Sequence, residues 1–202
     1  MPIFKINGQL LYFAHVPKCA GTSFTFYLTE RFGAPAFEDR FFYKKPAPFP
    51  WTQTSPQHIT TPALDRLFPE GFFDVTFGFV RHPEKRLESV FQFQKHHMKK
   101  IPRYVSYSRW LRGLSGKLDR SPSIYDHHIR PQTEFLPKGA TVFKLEEGFV
   151  PAIHFLDTHF GPSDKQITVG HEKKSGKRVT SGARDKALIR ELYAADFEAF
   201  DY

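Results

Sequence analysis

A chain of 202 residues, 40% of them hydrophobic and 25% charged, can hide about 70% of its unfolded surface in one core but is short for two, so a single domain over residues 1–202 is expected. Mean hydropathy is −0.44 and no run of about 18 apolar residues occurs, which argues against a membrane span, a signal-peptide core or a membrane partner. One cysteine, Cys19, excludes an internal disulfide and a cysteine-based zinc site and fits a reducing cytoplasm, while 29 Lys and Arg against 21 Asp and Glu leave a net charge of +8 that concentrates nucleotides, acidic sugars or other polyanions.

The chain has no repeat and no low-complexity tract, and its 23 Phe lie in apolar stretches, where they read as core rather than as a base-stacking surface. Gln9 to Val16 (QLLYFAHV) predicts a buried strand that stops at Pro17, which has no N–H for a ladder. Phe24, Tyr27, Leu28 and Phe32 then recur at helical spacing. Residues 33–62 are proline-rich and without period, an excursion long enough to suspect function. Phe72 to Val80 (FFDVTFGFV) predicts a second strand, and Pro83 stands where a helix N1 proline belongs, with Leu87, Val90 and Phe91 as that helix's stripe. A basic segment from Lys95 to Arg120 is expected to be helical around Tyr104 to Leu114. Thr141 to Leu145 predicts a third strand, leading through Glu146 into a helix that ends near Gly161. Lys173, Lys174, Lys177 and Arg178 mark a basic loop, and the chain finishes as a helix carrying Ile189, Leu192, Tyr193, Phe197 and Phe200, with Ser181 as N-cap. Strand-to-helix units of this kind predict an α/β fold, a central parallel sheet flanked by helices.

The loop His15-Val16-Pro17-Lys18-Cys19-Ala20-Gly21-Thr22-Ser23 lies at the first strand-to-helix junction. Free N–H groups of a first helical turn, the helix dipole, the Lys18 charge and the Thr22 and Ser23 hydroxyls together favour a phosphate-like anion. Lys18 precedes Gly21, the reverse of the ATP-binding P-loop order, and Asp74 stands at the start of the second strand, where it cannot hold Mg²⁺ opposite the loop. Arg81 ends that second strand and Ser89 follows eight residues on, so a guanidinium fork and a hydroxyl are offered to a second phosphate.

HVPKCAGTSF resembles the 5′-phosphosulfate loop of the carbohydrate-type sulfotransferases (sulfotransferase family 2), and FVRHPEKRLESVF resembles that family's 3′-phosphate motif. HIRPQTEFL (His128 to Leu136) and the ending ELYAADFEAFDY are similar to further family segments. The resemblance implies a P-loop-like three-layer sandwich and transfer of a sulfuryl group from 3′-phosphoadenosine 5′-phosphosulfate (PAPS) to an acceptor hydroxyl, on a carbohydrate for example, with no metal required. It implies that Pro17, Lys18, Ala20, Gly21, Thr22, Ser23 and Phe24 hold the 5′ end, with Lys18 on the leaving phosphate oxygen, and that Arg81 and Ser89 hold the 3′-phosphate. It points to His58 as the general base, because relatives carry a histidine between the two motifs. An unperturbed imidazole, titrating near about pH 6.5, suits that base. Arg130 and Gln132 are candidates for contact with acceptor or donor oxygens, and Pro131 between them equally suggests a rigid structural turn.

Among the other histidines, His15 reads as a hydrogen-bonded structural residue and His82 as a helix cap. The doublets His96-His97 and His127-His128 lack a metal-binding spacing, so no metal is expected. Cys19 reads as a small filler rather than a reactive thiol. The competing readings are a P-loop nucleotide kinase, which the Lys-before-Gly order disfavours, and a basic nucleic-acid-binding module, which does not explain two anion sites at strand-to-helix junctions; no nucleic-acid partner is therefore expected. Family members in animal cells carry a membrane anchor that this sequence lacks, which suggests a cytoplasmic enzyme.

Overall fold

Asn7 and Gly8 set the first turn of the molecule. In the computed structural model, which describes residues 1–43, 52–170 and 179–202, both take positive φ, 50° and 88°, as a two-residue hairpin turn requires. Strand β1 (Ile3–Ile6) therefore folds back antiparallel on β2 (Gln9–Ala14), with Ile3 opposite Tyr12. Strand β3 (Val75–Val80) lies parallel beside β2, and β4 (Thr141–Lys144) parallel beside β3, giving the order β1-β2-β3-β4. The three strands read from the sequence are present. The sheet is mixed rather than wholly parallel because β1 pairs antiparallel with β2; only four residues long, β1 shows no distinct run of its own. The second strand begins at Val75 instead of Phe72, since Asp74 accepts the Leu10 N–H through Oδ2 at 2.7 Å and so ends the ladder with a side chain.

The helices, in chain order, are α1 (Gly21–Phe32), α2 (Thr61–Leu64), α3 (Pro83–Gln92, continued by a π turn over Phe93–His97), α4 (Tyr107–Arg112), α5 (Leu114–Arg120), α6 (Val150–Phe160), α7 (Ala183–Leu192) and α8 (Ala194–Ala199). One sheet face carries Phe13, Phe77 and Phe79 against Phe24 and Leu28 of α1 and Leu156 of α6. Phe24 has no exposed surface and packs edge-on to Phe79 at 4.7 Å, a burial that contributes about 3 kcal/mol. Arg31 fastens α1 to α6 by donating to Asp157 at 2.7 Å and to the Gly161 carbonyl at 2.6 Å. The opposite face, with Ile3, Tyr12 and Ala14, is covered by Leu64 of α2 and by Phe68 and Phe73. A second apolar cluster joins α3, α4, α5, α7 and α8 through Leu87, Trp110, Leu111, Ile189 and Tyr193.

Cap chemistry follows the sequence closely at α3, where Pro83 opens the helix and His82 Nδ1 accepts the Glu84 N–H at 3.3 Å. At the C-terminal helices it does not. Gly182, not Ser181, is the N-cap of α7, its N–H donating to Asp185 Oδ2, because Ser181 is drawn inward to Glu88 Oε1 at 3.1 Å. The last helix is broken at Tyr193, and the basic segment's helix is broken at Gly113. The basic cluster Lys173 to Arg178 and residues 44–51 of the excursion lie outside the described residues.

Candidate active site

The chain leaves β2 at Ala14, passes Pro17, and enters α1 through two non-glycine residues in the left-handed region, Lys18 at φ 67° and Ala20 at φ 61°. Each conformation costs about 1–2 kcal/mol, and such alternation turns successive N–H groups toward one concavity. The first helical bond is Phe24 N–H to the Ala20 carbonyl, so the N–H groups of Gly21, Thr22 and Ser23 have no intrahelical acceptor, and no side chain caps them. Thr22 is exposed. Ser23 is nearly buried, and its hydroxyl has no protein partner among the described residues. The Lys18 Nζ lies 4.1 Å from the Phe93 ring centre. Gly21 has a steric cause of its own: a Cβ there would lie 1.9 Å from Cδ2 of His15, so the space of a side chain is filled by an imidazole. Phe24, expected at the loop's mouth, lies in the core instead, because its helical position turns it under the sheet.

The second junction adjoins the first. Arg81 follows β3 directly, is half-buried, and has no ion pair among the described residues; Ser89 is half-buried on α3, two turns in. A single side chain joins the two loops. Gln132 Oε1 accepts both the Arg81 N–H at 2.9 Å and the Cys19 thiol at 3.2 Å, while its Nε2 donates to the Arg81 carbonyl at 2.9 Å. Gln132 has no exposed surface, so its place is that of a strut between loops rather than the acceptor contact read from the sequence. Arg130 likewise turns to Glu134 and to the Pro122 carbonyl. Desolvation pushes the Cys19 thiol up to about 12, which makes it inert.

Arg86, inside the second motif but given no role by sequence, is fully buried. Its Nε donates to the Pro17 carbonyl at 3.0 Å, and Nη2 to those of His128 and Arg130 at 3.1 and 2.8 Å, while Nη1 has no partner. None of the ion pairs among the described residues includes it. A buried guanidinium anchored on the loop's own carbonyl adds a positive field in a medium that screens it poorly.

Beside the loop stands a stack of imidazoles. His58 packs edge-to-face on His15 and on His128, both with ring centres at 5.0 Å. His58 Nδ1 lies 2.7 Å from Asp126 Oδ2, and Ser55 Oγ donates to the same oxygen at 2.6 Å while the Ser55 N–H donates to Oδ1 at 2.7 Å. Burial acts to raise the Asp126 pKa, but the His58 charge and hydrogen bond outweigh it, and His128 and Ser55 add to that effect, so the carboxyl is held well below the usual carboxylate range. Burial first, and the neighbouring His58 second, keep His15 and His128 well below the ordinary imidazole value. The hydrogen bond expected of His15 is not made: the ring is buried and Nδ1 has no partner among the described residues.

The His127-His128 doublet diverges, His127 Nδ1 to the His58 carbonyl at 2.9 Å and His128 Nδ1 to Gln94 Nε2 at 3.0 Å. Donor atoms of His58, Asp126 and His128 lie within 4.8 Å of one another, a spacing that a metal ion can use. Both Nδ1 atoms are already bonded: the Gln94 amide nitrogen donates to the Tyr125 carbonyl and to His128 Nδ1, which places the His128 proton on Nε2, and His58 Nδ1 meets Asp126. An ion held through those Nδ1 atoms would have to break both bonds. An open cleft of about 520 Å³ meets the far side of Asp126, lined by Tyr43, Gln53, Lys100, Ser121 and Ser123.

Sequence reasoning brought Lys18, Arg81, Ser89 and His58 to this region and missed Asp126, Ser55 and Arg86. Ser55, three residues before His58, is the one signal a local reading offered, since that spacing lets the hydroxyl meet Nδ1, here at 3.1 Å. No curated protein and no solved structure matches the chain. The model of the sulfotransferase family matches residues 4–147, a span that contains both loops, the imidazole stack and Gln132. With more than half of its length so matched, and the two strand-to-helix junctions adjacent on parallel strands, the chain belongs to the sulfotransferase family.

Proposed function

We propose that this sulfotransferase takes its sulfuryl group from PAPS and delivers it to a hydroxyl on a carbohydrate acceptor, on a P-loop-like three-layer scaffold, without a metal. The observation that carries the reading is the Gln132 bridge: one amide bonded to Cys19 and Arg81 sets the two anion-binding turns close enough for one bisphosphorylated nucleotide. The turn at Lys18 to Ser23 takes the 5′-phosphosulfate through its free N–H groups, and Arg81 with Ser89 takes the 3′-phosphate. Pro17 supplies the carbonyl that anchors Arg86, and Ala20 the left-handed bend that opens the N–H groups.

In the reaction the acceptor oxygen attacks sulfur in line while the bond from sulfur to the phosphate oxygen breaks. His58 takes the acceptor's proton, and Lys18 stabilises the charge that develops on the departing adenosine 3′,5′-bisphosphate. The acceptor approaches along the cleft of Tyr43, Tyr125, Gln53, Lys100 and the serines, whose aromatic rings, hydroxyls and amide suit a sugar. Among the described residues no helix is long and apolar enough to cross a membrane, and we assign the enzyme to the cytoplasm. Parallel calorimetric titrations with adenosine 3′,5′-bisphosphate, ATP and AMP test the reading. Binding of the first at least tenfold tighter than the others is expected. Preference for Mg²⁺-ATP would make it a kinase, and failure of ³⁵S to pass from labelled PAPS to any sugar in a panel of neutral and uronic-acid disaccharides would remove the transfer reaction.

A further inference from the structure

Three consecutive non-glycine residues, Tyr125, Asp126 and His127, have φ of 54°, 57° and 63°. A run of this kind costs about 1–2 kcal/mol per residue and persists only where the surroundings over-determine it. Here the Asp126 carboxylate meets Ser55 and His58 of the excursion, 71 and 68 residues away. Ser55 fixes both carboxylate oxygens.

We propose that Asp126 is a positioning residue for His58: it accepts the Nδ1–H of that imidazole, fixes the tautomer with the lone pair on Nε2, and so makes Nε2 the atom that receives the acceptor's proton. The proposal rests on His58 being the base. A neutral imidazole has one proton and two tautomers; an ionised carboxylate 2.7 Å from Nδ1 can only accept, so Nδ1 must donate. The same contact stabilises the imidazolium formed when Nε2 takes a proton, which is then returned to solvent. The charged and titratable groups facing the pair are His15 from the loop after β2, Lys18 beyond it, His127 and His128 from the segment after Asp126, Tyr43 from the excursion and the buried Met1 amino group. Of these, the Asp126 carboxylate is the one anion in contact with His58.

Two measurements test this. Long-range ¹H–¹⁵N spectra of the wild-type chain need no acceptor: His58 is expected with hydrogen on Nδ1 and a bare Nε2, and an Nε2–H tautomer overturns the proposal. In ³⁵S transfer from PAPS to the best disaccharide of the panel, Asp126→Asn is expected to lower kcat about a hundredfold or more, with KM for both substrates changed less than about threefold and the His58 tautomer altered. Activity is normalised to the molar fraction that binds adenosine 3′,5′-bisphosphate, so a merely structural role leaves kcat per folded molecule intact and overturns the idea. Should Asp126→Asn fail to fold, Ser55→Ala, which loosens the carboxylate without removing it, is expected to lose about tenfold in kcat, and wild-type kcat in that variant counts against the proposal. His58→Ala separates the two levels. Full activity in that variant removes the base itself, whereas an inactive His58→Ala beside a fully active Asp126→Asn removes only the role given to Asp126.

Discussion

Replacing Gly21 with alanine pits two opposed effects against each other. Alanine inside the first turn of α1 gains about 0.5–1 kcal/mol over glycine from helix propensity and a less flexible unfolded chain. Against it, the new Cβ falls 1.9 Å from Cδ2 and 2.1 Å from Nε2 of His15, so the ring must withdraw by more than about 1 Å to reach van der Waals contact. His15 is only 7% exposed, with Phe13 at 5.9 Å on one side and His58 at 5.0 Å on another, and overpacking of such a site costs about 1–3 kcal/mol. The clash wins by about 1–2 kcal/mol, which in a chain of this length lowers Tm by roughly 2–8 °C. The displaced His15 also pushes the imidazole that leans on it, and a misplacement of about 1 Å at a reacting group costs about 10²-fold in turnover. Differential scanning calorimetry and ³⁵S transfer from PAPS measure the two effects. The double variant His15→Ala/Gly21→Ala, in which the ring is gone, is expected to recover stability relative to the sum of the single changes. A Tm for Gly21→Ala equal to or above that of the wild type would refute the steric argument.

Arg81→Ala is expected to weaken adenosine 3′,5′-bisphosphate about 10- to 100-fold, the worth of a charge-assisted hydrogen bond, while AMP binding changes little; equal losses for both nucleotides in calorimetry would dissociate Arg81 from the 3′-phosphate. Lys18→Ala is expected to lower kcat about 10²- to 10³-fold, and full transfer activity would remove its role at the leaving oxygen. Stability should fall on acidification. Unfolded imidazoles take up protons near about pH 6.5, whereas folded His15 and His128 resist until well below it, so the unfolded state binds more protons and each residue loses about 1.4 kcal/mol per pH unit below that point. Asp126, depressed in the fold, extends the loss below about pH 4. Urea midpoints at pH 7.5, 6.0 and 5.0 test this, and a flat profile would show that the buried histidines take up protons without unfolding.

Local rules made much of the framework readable. The apolar runs ending at Pro17 and Arg81, the helical spacing of Phe24 to Phe32 and the N1 proline Pro83 each depend on residues within a few positions of one another, and β2, β3, α1 and α3 follow from them. Strand β1 was missed although Asn7-Gly8 is a strong hairpin pair, because four residues give too few periods to register. Ser181 was misplaced as a cap because its partner, Glu88, stands 93 residues away.

The sequence alone determined where two strand-to-helix turns with basic residues must lie, since a strand end, a basic residue and a free helical N-terminus are properties of a short stretch of chain. Tertiary structure decided what lies around them. Gln132, Arg86 and Asp126 reach the site from segments 42 to 113 residues distant from their partners, and their roles come from burial and from the orientation of a side chain at a left-handed turn. Neither is encoded in local spacing, because both depend on which surfaces the folded chain presses together.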